Sequence, residues 1–289
     1  MKKNWLAGCI LGLCSVLLIA CQSVPLTGRS RLMLIPSSQS MAASAQAYDK
    51  FLQTADVIDG GKEAEMVRRV GFRIQQAVET YMAANQLSQQ LNGYDWQYTL
   101  VDDDKTANAF CMPGGKIVVY TGMLPITRDE EGLAAVLGHE VAHAIAQHSG
   151  ERSSQKLLLS AATAALSATA AGTATRNASA ADQAKAKLLA AGFGAAATYG
   201  VLLPYSRLHE SEADRMGMYF MAMAGYNPEK AVALWSRFKT EAHQGKGAPP
   251  EFFSTHPSDD TRIAQNQATL TEVMPIYHAY RAEKAAAKP

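Results

Sequence analysis

The sequence predicts a predominantly α-helical α+β fold with one small β-sheet. Apolar residues recur at helical spacing in two long stretches, 40–54 and 63–90. The region 96–121 is rich in β-branched residues and contains the turn sequence Pro113-Gly114-Gly115, which is typical of a hairpin. An apolar stripe from Leu133 to Ile145 again has helical spacing. We therefore expect a sheet that directly precedes a helix in the chain.

Length and turn residues suggest one main domain after an N-terminal extension. An alanine-rich segment, 153–200, has the pattern of a helical hairpin. Two interpretations are open: a lid over the active site, or a plain helical pair. The predicted segments are a signal peptide at 1–20, a tether at 21–40, one domain at 41–282 and a flexible tail at 283–289.

The N-terminus is typical of a secretory signal, since two lysines precede an apolar run that is short for a membrane-spanning helix. It ends in Leu18-Ile19-Ala20-Cys21, which resembles the lipobox of bacterial lipoproteins, where cleavage leaves Cys21 as the lipid-modified N-terminus. Gln22 follows, which resembles outer-membrane sorting. We therefore expect a lipid-anchored protein of a Gram-negative envelope, on the outer membrane and facing the periplasm.

Charge and cysteine content exclude some classes of protein. The formal net charge of +1 becomes −1 when the two lysines of the signal are removed, so a nucleic-acid partner is not expected. Of the four cysteines, only Cys111 would remain unmodified in the mature chain, which leaves no internal disulfide.

Residues 139–143 read His-Glu-x-x-His inside a predicted helix. Residues four apart share a helix face, so His139 and His143 can bind one ion, and zinc suits imidazole ligands with one position left for water. Glu140 can reach that water without binding the ion. The alternative is a buried helix whose two histidines are merely hydrogen-bonded. Thr127-Arg128-Asp129-Glu130 is typical of a capping box at the start of this helix.

A third ligand must come from downstream, where 209–214 offers three candidates. Glu212 lies at ion-pair spacing from Arg215, and His209 begins the helix, where it is poorly placed to join a packed face. Glu210 shares its helical row with small or apolar residues, which indicates packing against another helix. It is therefore the predicted third ligand of one zinc ion per chain. The row contains Ala213, Asp214, Gly217 and Met221.

Three further residues are candidates for roles at this site. Asp214 can orient one of the two histidines, with a plain surface aspartate as the alternative. His256 can donate to the oxyanion of the tetrahedral intermediate, displace the catalytic water as a fourth ligand, or take no part in the chemistry. Arg262 can hold the His256 loop or pair with a carboxylate. The remaining histidines, His148, His243 and His278, are expected on the surface.

Taken together, His139-Glu140-x-x-His143 and Glu210-x-x-Ala213-Asp214 resemble the HtpX and CAAX-prenyl-protease family of gluzincin metallopeptidases. The chain is similar to its lipoprotein and periplasmic branch, which includes a mitochondrial quality-control relative, in Pro25-Leu26-Thr27-Gly28-Arg29, in Asn108-Ala109-Phe110 and in Ser254-Thr255-His256-Pro257-Ser258. The resemblance implies a zincin-like metalloprotease domain with the small sheet beside the active-site helix. The chain lacks the multiple membrane spans of other branches.

The resemblance also implies an activity and its residues. It implies a zinc endopeptidase acting on misfolded or stalled envelope proteins, with an outer-membrane assembly machinery as a possible partner. Its roles map onto zinc ligands His139, His143 and Glu210, general base Glu140, proton-donating or orienting Asp214, and a substrate-lining strand edge at Asn108, Ala109 and Phe110.

Two other function classes remain open. One is a chaperone-like outer-membrane assembly factor whose zinc is structural, against which the complete pattern of a base and an open position argues. The other is a peptidoglycan or amide hydrolase, whose ligand spacings generally differ.

Overall fold

A computed structural model of the chain describes residues 21–173, 203–243, 251–256 and 260–287. Within these ranges the predicted α+β, predominantly helical class is confirmed. None of the helices described there combines the length and apolar character that crossing a membrane requires. The strands are β1 (Cys21–Ser23), β2 (Ser30–Leu32), β3 (Gln97–Val101), β4 (Ala109–Met112) and β5 (Lys116–Tyr120). The helices are α1 (Ser37–Leu52), α2 (Gly61–Ala84), α3 (Leu124–Thr127), α4 (Glu130–Ile145), α5 (His148–Thr173), α6 (Leu203–Met223), α7 (Glu229–His243), α8 (Glu251–Thr255) and α9 (Asp260–Ala286).

The chain divides into two compact units. The predicted bounds of one domain at 41–282 after a tether stay a prediction. The described part of unit 1 consists of 21–23, 29–36, 148–173 and 203–209, and in it β1 pairs antiparallel with β2. The described part of unit 2 consists of 24–28, 37–147, 210–243, 251–256 and 260–287. The proposed tether therefore contains two strands. The predicted signal peptide, and residues 174–200 of the predicted helical hairpin, lie outside the described residues.

Unit 2 contains a three-stranded sheet in the order β3-β5-β4. β3 runs parallel to β5, and β4 forms the predicted antiparallel hairpin with β5, closed by Gly114 and Gly115 at φ of +91° and +85°. Side chains alternate between the two faces. One face, which includes Ala109, Ile117 and Val119, belongs to the main core, and the opposite face belongs to a smaller aromatic cluster with α1. The sheet is thus covered on both sides.

The N-cap of helix α4 lies two residues after Thr127, the cap residue of the predicted capping box. Asp129 is the N-cap, and its side chain accepts a hydrogen bond from Gly132 N–H at 2.8 Å. Thr127 instead ends α3, where its hydroxyl donates to the Leu124 carbonyl. Arg128, with φ of +69°, separates the two helices. The capping-box prediction was therefore wrong about the cap residue because a separate short helix precedes α4.

The backbones of α4 and α6 touch at two glycines. A Cβ atom on Gly138 would lie 2.9 Å from the Gly217 carbonyl oxygen, and one on Gly217 would lie 2.8 Å from the backbone nitrogen of His139. This contact confirms that the row from Glu210 to Met221 packs against another helix. It brings the ligand-bearing faces of both helices together.

The C-terminal helix α9 extends to Ala286. Most of the described part of the segment predicted as a flexible tail from residue 283 is therefore helical.

We expect Gly217→Ala to destabilise the protein by about 1–3 kcal/mol, because the added methyl meets backbone atoms that cannot rotate away. Urea unfolding of purified protein measures the change. Gly60→Ser is the control, since nothing lies within 4 Å of a Cβ added there. Equal stability of both variants and the parent would contradict the close contact.

Candidate metal and active site

Four side chains converge where α4, α6 and the end of α8 meet. His139 Nε2 lies 3.0 Å from His143 Nε2 and 3.3 Å from Glu210 Oε2. His143 Nε2 lies 3.5 Å from Glu210 Oε1. His256 Nδ1 completes the group at 2.9 Å from Glu210 Oε2. The structure thus brings together the three predicted ligands and places His256 against them, with one ligating atom of each residue within 4.8 Å of the others.

These separations fit a tetrahedral zinc site. With bonds of about 2.0–2.1 Å, neighbouring ligand atoms of a tetrahedron lie about 3.3 Å apart. The three distances among His139, His143 and Glu210 span 3.0–3.5 Å. The chemistry of the donors agrees, because two imidazoles and a carboxylate are a ligand set that catalytic zinc sites use.

The charges around the site also favour a cation. Burial alone would raise the pKa of the Glu210 carboxyl, but hydrogen bonds to His139, His143 and His256 hold it well below its usual range. Burial lowers the pKa of His139, but hydrogen bonds to Asp214 and Glu210 outweigh it and raise that pKa to about 9. The buried carboxylates of Glu210 and Asp214, whose pKa values are both lowered, therefore remain ionised beside the imidazoles.

Asp214 and Arg262 fix the orientation of His139. His139 Nδ1, on the far side of the ring from the ligand cluster, lies 2.9 Å from Asp214 Oδ1. Arg262 holds that carboxylate with two hydrogen bonds, from Nε and Nη2, each 2.8 Å long. Arg262 Nη1 also lies 3.4 Å from Glu210. Asp214 is 3 % exposed and Arg262 is 4 % exposed, so neither is a surface residue.

Two aromatic residues that the sequence did not suggest line the same site. The rings of Trp235 and His139 contact edge-on with centroids 5.1 Å apart, and the Arg262 guanidinium lies 4.9 Å from the Trp235 ring centre. Phe252 stacks on Trp235 at 5.9 Å. These apolar walls exclude water from the back of His139. Neither residue belongs to a metal-binding motif, which explains why pattern reading missed them.

Glu140 is buried next to the ligand cluster without joining it. It is 4 % exposed, and burial raises the pKa of its carboxyl. Its Oε1 lies 3.5 Å from His256 Nε2. The candidate base thus lies against the histidine that completes the ligand cluster.

The predicted substrate-lining residues have different orientations. The carbonyl of Asn108 accepts from Tyr120 N–H in β5, and its side chain accepts from Ala109 N–H. Backbone groups alternate along an antiparallel strand, so those of Ala109 and Cys111 point away from β5 toward the open edge. The Phe110 side chain lies on the opposite face of the sheet from α4, with Phe51 and Tyr120 around it.

The segment that carries His256 also contacts this edge of the sheet. Phe252 N–H donates to the carbonyl of Ala107, just before β4, at 3.2 Å. The Phe252 side chain is fully buried, and its ring lies 4.8 Å from that of His256. Helix α8 is thereby attached at both the sheet and the core.

Some polar residues expected on the surface are buried. In unit 1, His148 and His209 are fully buried and stack with ring centroids 4.2 Å apart, so the surface prediction for His148 was wrong. Glu212 is 6 % exposed, whereas Arg215 pairs with Glu272. Single-residue polarity could not reveal these partners because they are distant in sequence.

Comparison with known proteins identifies the family: residues 71–270 match peptidase family M48. The chain belongs to this family. It is 38 % identical over 178 residues to the mitochondrial metalloendopeptidase OMA1 of Schizosaccharomyces pombe, covering 61 % of this chain and 47 % of the relative. It is 28 % identical over 257 residues to the OMA1 metalloendopeptidase of Bos taurus, covering 87 % and 46 %. It is 27 % identical over 180 residues to the beta-barrel assembly-enhancing protease of Yersinia pestis, covering 62 % and 35 %.

Family M48 membership confirms the predicted zincin-like metalloprotease domain and, at the level of the family, the predicted metalloendopeptidase. M48 metalloproteases are zinc-dependent and act on polypeptides. The chain spans about half the length of the two OMA1 relatives and 35 % of the length of the assembly-enhancing protease. These matches do not distinguish the predicted lipoprotein and periplasmic branch from other branches of the family.

The predicted location was wrong. The OMA1 relatives from yeasts, a plant and vertebrates are mitochondrial proteins by name, which points to a mitochondrial location and not to a Gram-negative outer membrane. The outer-membrane prediction depended on a few residues around Cys21, a much shorter signal than the similarity along the chain. Lipid attachment at Cys21, which begins β1, stays a prediction.

We expect Arg262→Lys to weaken zinc binding about tenfold, because lysine keeps the charge but cannot hold Asp214 with a two-pronged hydrogen bond. Competition with a chromogenic chelator measures the affinity. Arg215→Lys is the matched control, since Arg215 makes an exposed ion pair on the same helix as Asp214. Unchanged zinc affinity in Arg262→Lys would show that the two hydrogen bonds from Arg262 to Asp214 do not orient His139.

Proposed function

We propose that this chain is a zinc-dependent endopeptidase that cleaves unfolded or misassembled polypeptides in protein quality control. The observation that carries the proposal is the convergence of three ligand side chains and a buried carboxylate beside an open strand edge. The M48 match supports hydrolysis of peptide bonds. Quality control is supported by the similarity to a beta-barrel assembly-enhancing protease. It is also supported by a strand edge that would bind the substrate through its main chain.

His139, His143 and Glu210 would hold the metal in this proposal. When bound, zinc polarises the scissile carbonyl and lowers the pKa of water. Asp214 keeps the His139 ring oriented with Nε2 toward the cluster. Arg262 keeps Asp214 in place, so the geometry of the ligand set is fixed before substrate binds.

Glu140 is the proposed general base. Its carboxylate accepts the proton of the attacking water and passes it to the nitrogen of the leaving amine. Burial at 4 % exposure restricts the positions that this side chain can take. Its raised pKa makes it a stronger base than an exposed glutamate.

The edge of β4 would align the substrate. The carbonyls of Ala109 and Cys111 point toward the open edge, where an extended polypeptide can add as a further strand. Pairing of this kind reads main chain more than side chains. It requires a segment that is not already folded, which is why unfolded polypeptides are the proposed substrates.

We further propose that His256 occupies the fourth position in the resting protein. Its Nδ1 lies 3.2 Å from His139 Nε2 and 2.9 Å from Glu210 Oε2. Substrate would have to displace it. The same closed set of four donors supports the second candidate function, a chaperone-like assembly factor with a structural zinc, because structural zinc sites are closed.

Glu140→Gln should retain zinc and lose cleavage of unfolded casein, because glutamine cannot accept the proton. Zinc content and casein hydrolysis are measured on the same preparation. Exposed Glu65 supplies the control variant Glu65→Gln, which should cleave normally. Undiminished cleavage by Glu140→Gln would refute the assigned base. If that variant still complements cells that lack the parent protein, the result would favour the assembly-factor alternative.

His256→Ala should retain zinc and cleave casein severalfold faster than the parent, since the fourth position is then open to water. Initial rates at saturating zinc test this. A fall of about 10²–10³-fold in the rate would instead identify His256 as a donor to the oxyanion.

A further inference from the structure

The residues 24–28, here called the N-terminal turn, form a stiff element of unit 2. Gly28 N–H donates to the Val24 carbonyl at 2.9 Å. Leu26 has φ of +69°, and a left-handed leucine persists only where surrounding contacts hold it. Val24 is 1 % exposed and belongs to the same apolar cluster as residues of α6. The turn is therefore anchored in the core.

The turn is bonded to the helix that carries the third zinc ligand. The Thr27 hydroxyl donates to Glu212 Oε1 at 2.5 Å, across 185 residues of sequence. Glu212 is 6 % exposed. The bond therefore joins two residues that lie far apart in the chain, and it ends at a buried side chain.

The two glutamates of α6 face different directions. Glu212 follows Glu210 by two residues, which is a rotation of about 200° around the helix axis. Glu210 faces the histidines of α4, as the short distances show. Glu212 therefore projects from nearly the opposite side, where Thr27 binds it. Helix α6 is held at this level between the metal site and the N-terminal turn.

We propose that Thr27 is a positioning residue for the zinc ligand Glu210, an inference that rests on the proposed zinc peptidase function. The Glu210 carboxylate must reach both histidines within a few tenths of an ångström to complete the ligand set. The ligand face of α6 contacts α4 at Gly217, seven residues after Glu210. On the opposite side of the helix, two residues after Glu210, Thr27 binds Glu212. This bond restrains rotation of α6 about its axis at the level of Glu210.

Thr27→Val tests the proposal because valine keeps the shape of threonine and removes the donor. We expect zinc affinity to fall about tenfold in chelator competition, and the visible absorption of the cobalt-loaded protein to change with the ligand geometry. Thr27→Ser should restore both. Thr106→Val is the matched control, since Thr106 also donates its hydroxyl to a carboxylate, Asp103, but far from α6 in sequence.

A purely structural role would lower the unfolding temperature of Thr27→Val while leaving zinc affinity and the cobalt spectrum as in the parent, and that result would overturn the proposal. If Thr27→Val does not fold, Glu212→Gln gives the same test, since it replaces the carboxylate that accepts from Thr27 with an amide. Its zinc affinity should fall severalfold, and an unchanged affinity again overturns the proposal. A parent protein that binds no zinc would overturn the proposed function itself, a result distinct from the other two.

Discussion

Two ionised carboxylates buried beside a pair of imidazoles are the constraint on which the structure depends. Glu210 and Asp214 are each 3 % exposed, and burying such charges without compensation is strongly unfavourable. Arg262 compensates Asp214 through its two hydrogen bonds. Glu210 lies within 3.5 Å of the ring nitrogens of both His139 and His143, so a proton or a metal ion shared among them compensates its charge. The four side chains of this cluster could hold a metal ion, and a bound cation would offset the cost of burying the Glu210 charge.

That constraint explains why α4 and α6 are so closely packed. Three ligand side chains on two helices can surround one small ion only if the helix axes approach closely, and side chains at the crossing would prevent this. Gly138 and Gly217 remove them. The same approach leaves α4 buried from Gly132 to Ile145, with apolar residues on the sides that do not face the metal site. The burial that stabilises the fold and the geometry of the ligands thus follow from one contact.

Local spacing predicted the parts of the site that lie on one helix each. His139 with His143, and Glu210 with Asp214, follow from the period of the α-helix, and the row from Ala213 to Met221 indicated the packed face. Trp235, Phe252 and the partner of Glu212 were not predictable, because those contacts join residues distant in sequence and involve types that usually occupy any core. The division into two compact units depends on contacts between residues distant in sequence, which local spacing does not reveal.

The alternation of the sheet shows how a correct motif can still mislead about side chains. Asn108-Ala109-Phe110 does lie at the edge beside the metal helix, but adjacent residues of a strand face opposite sides. If Ala109 and Cys111 present their backbone to the open edge and their side chains to α4, Phe110 must point to α1, where Phe51 and Tyr120 surround it. A substrate strand added at this edge would alternate in the same way. Its side chains would face the metal site and the aromatic cluster in turn, so any side-chain preference of the site must arise on two faces of the sheet.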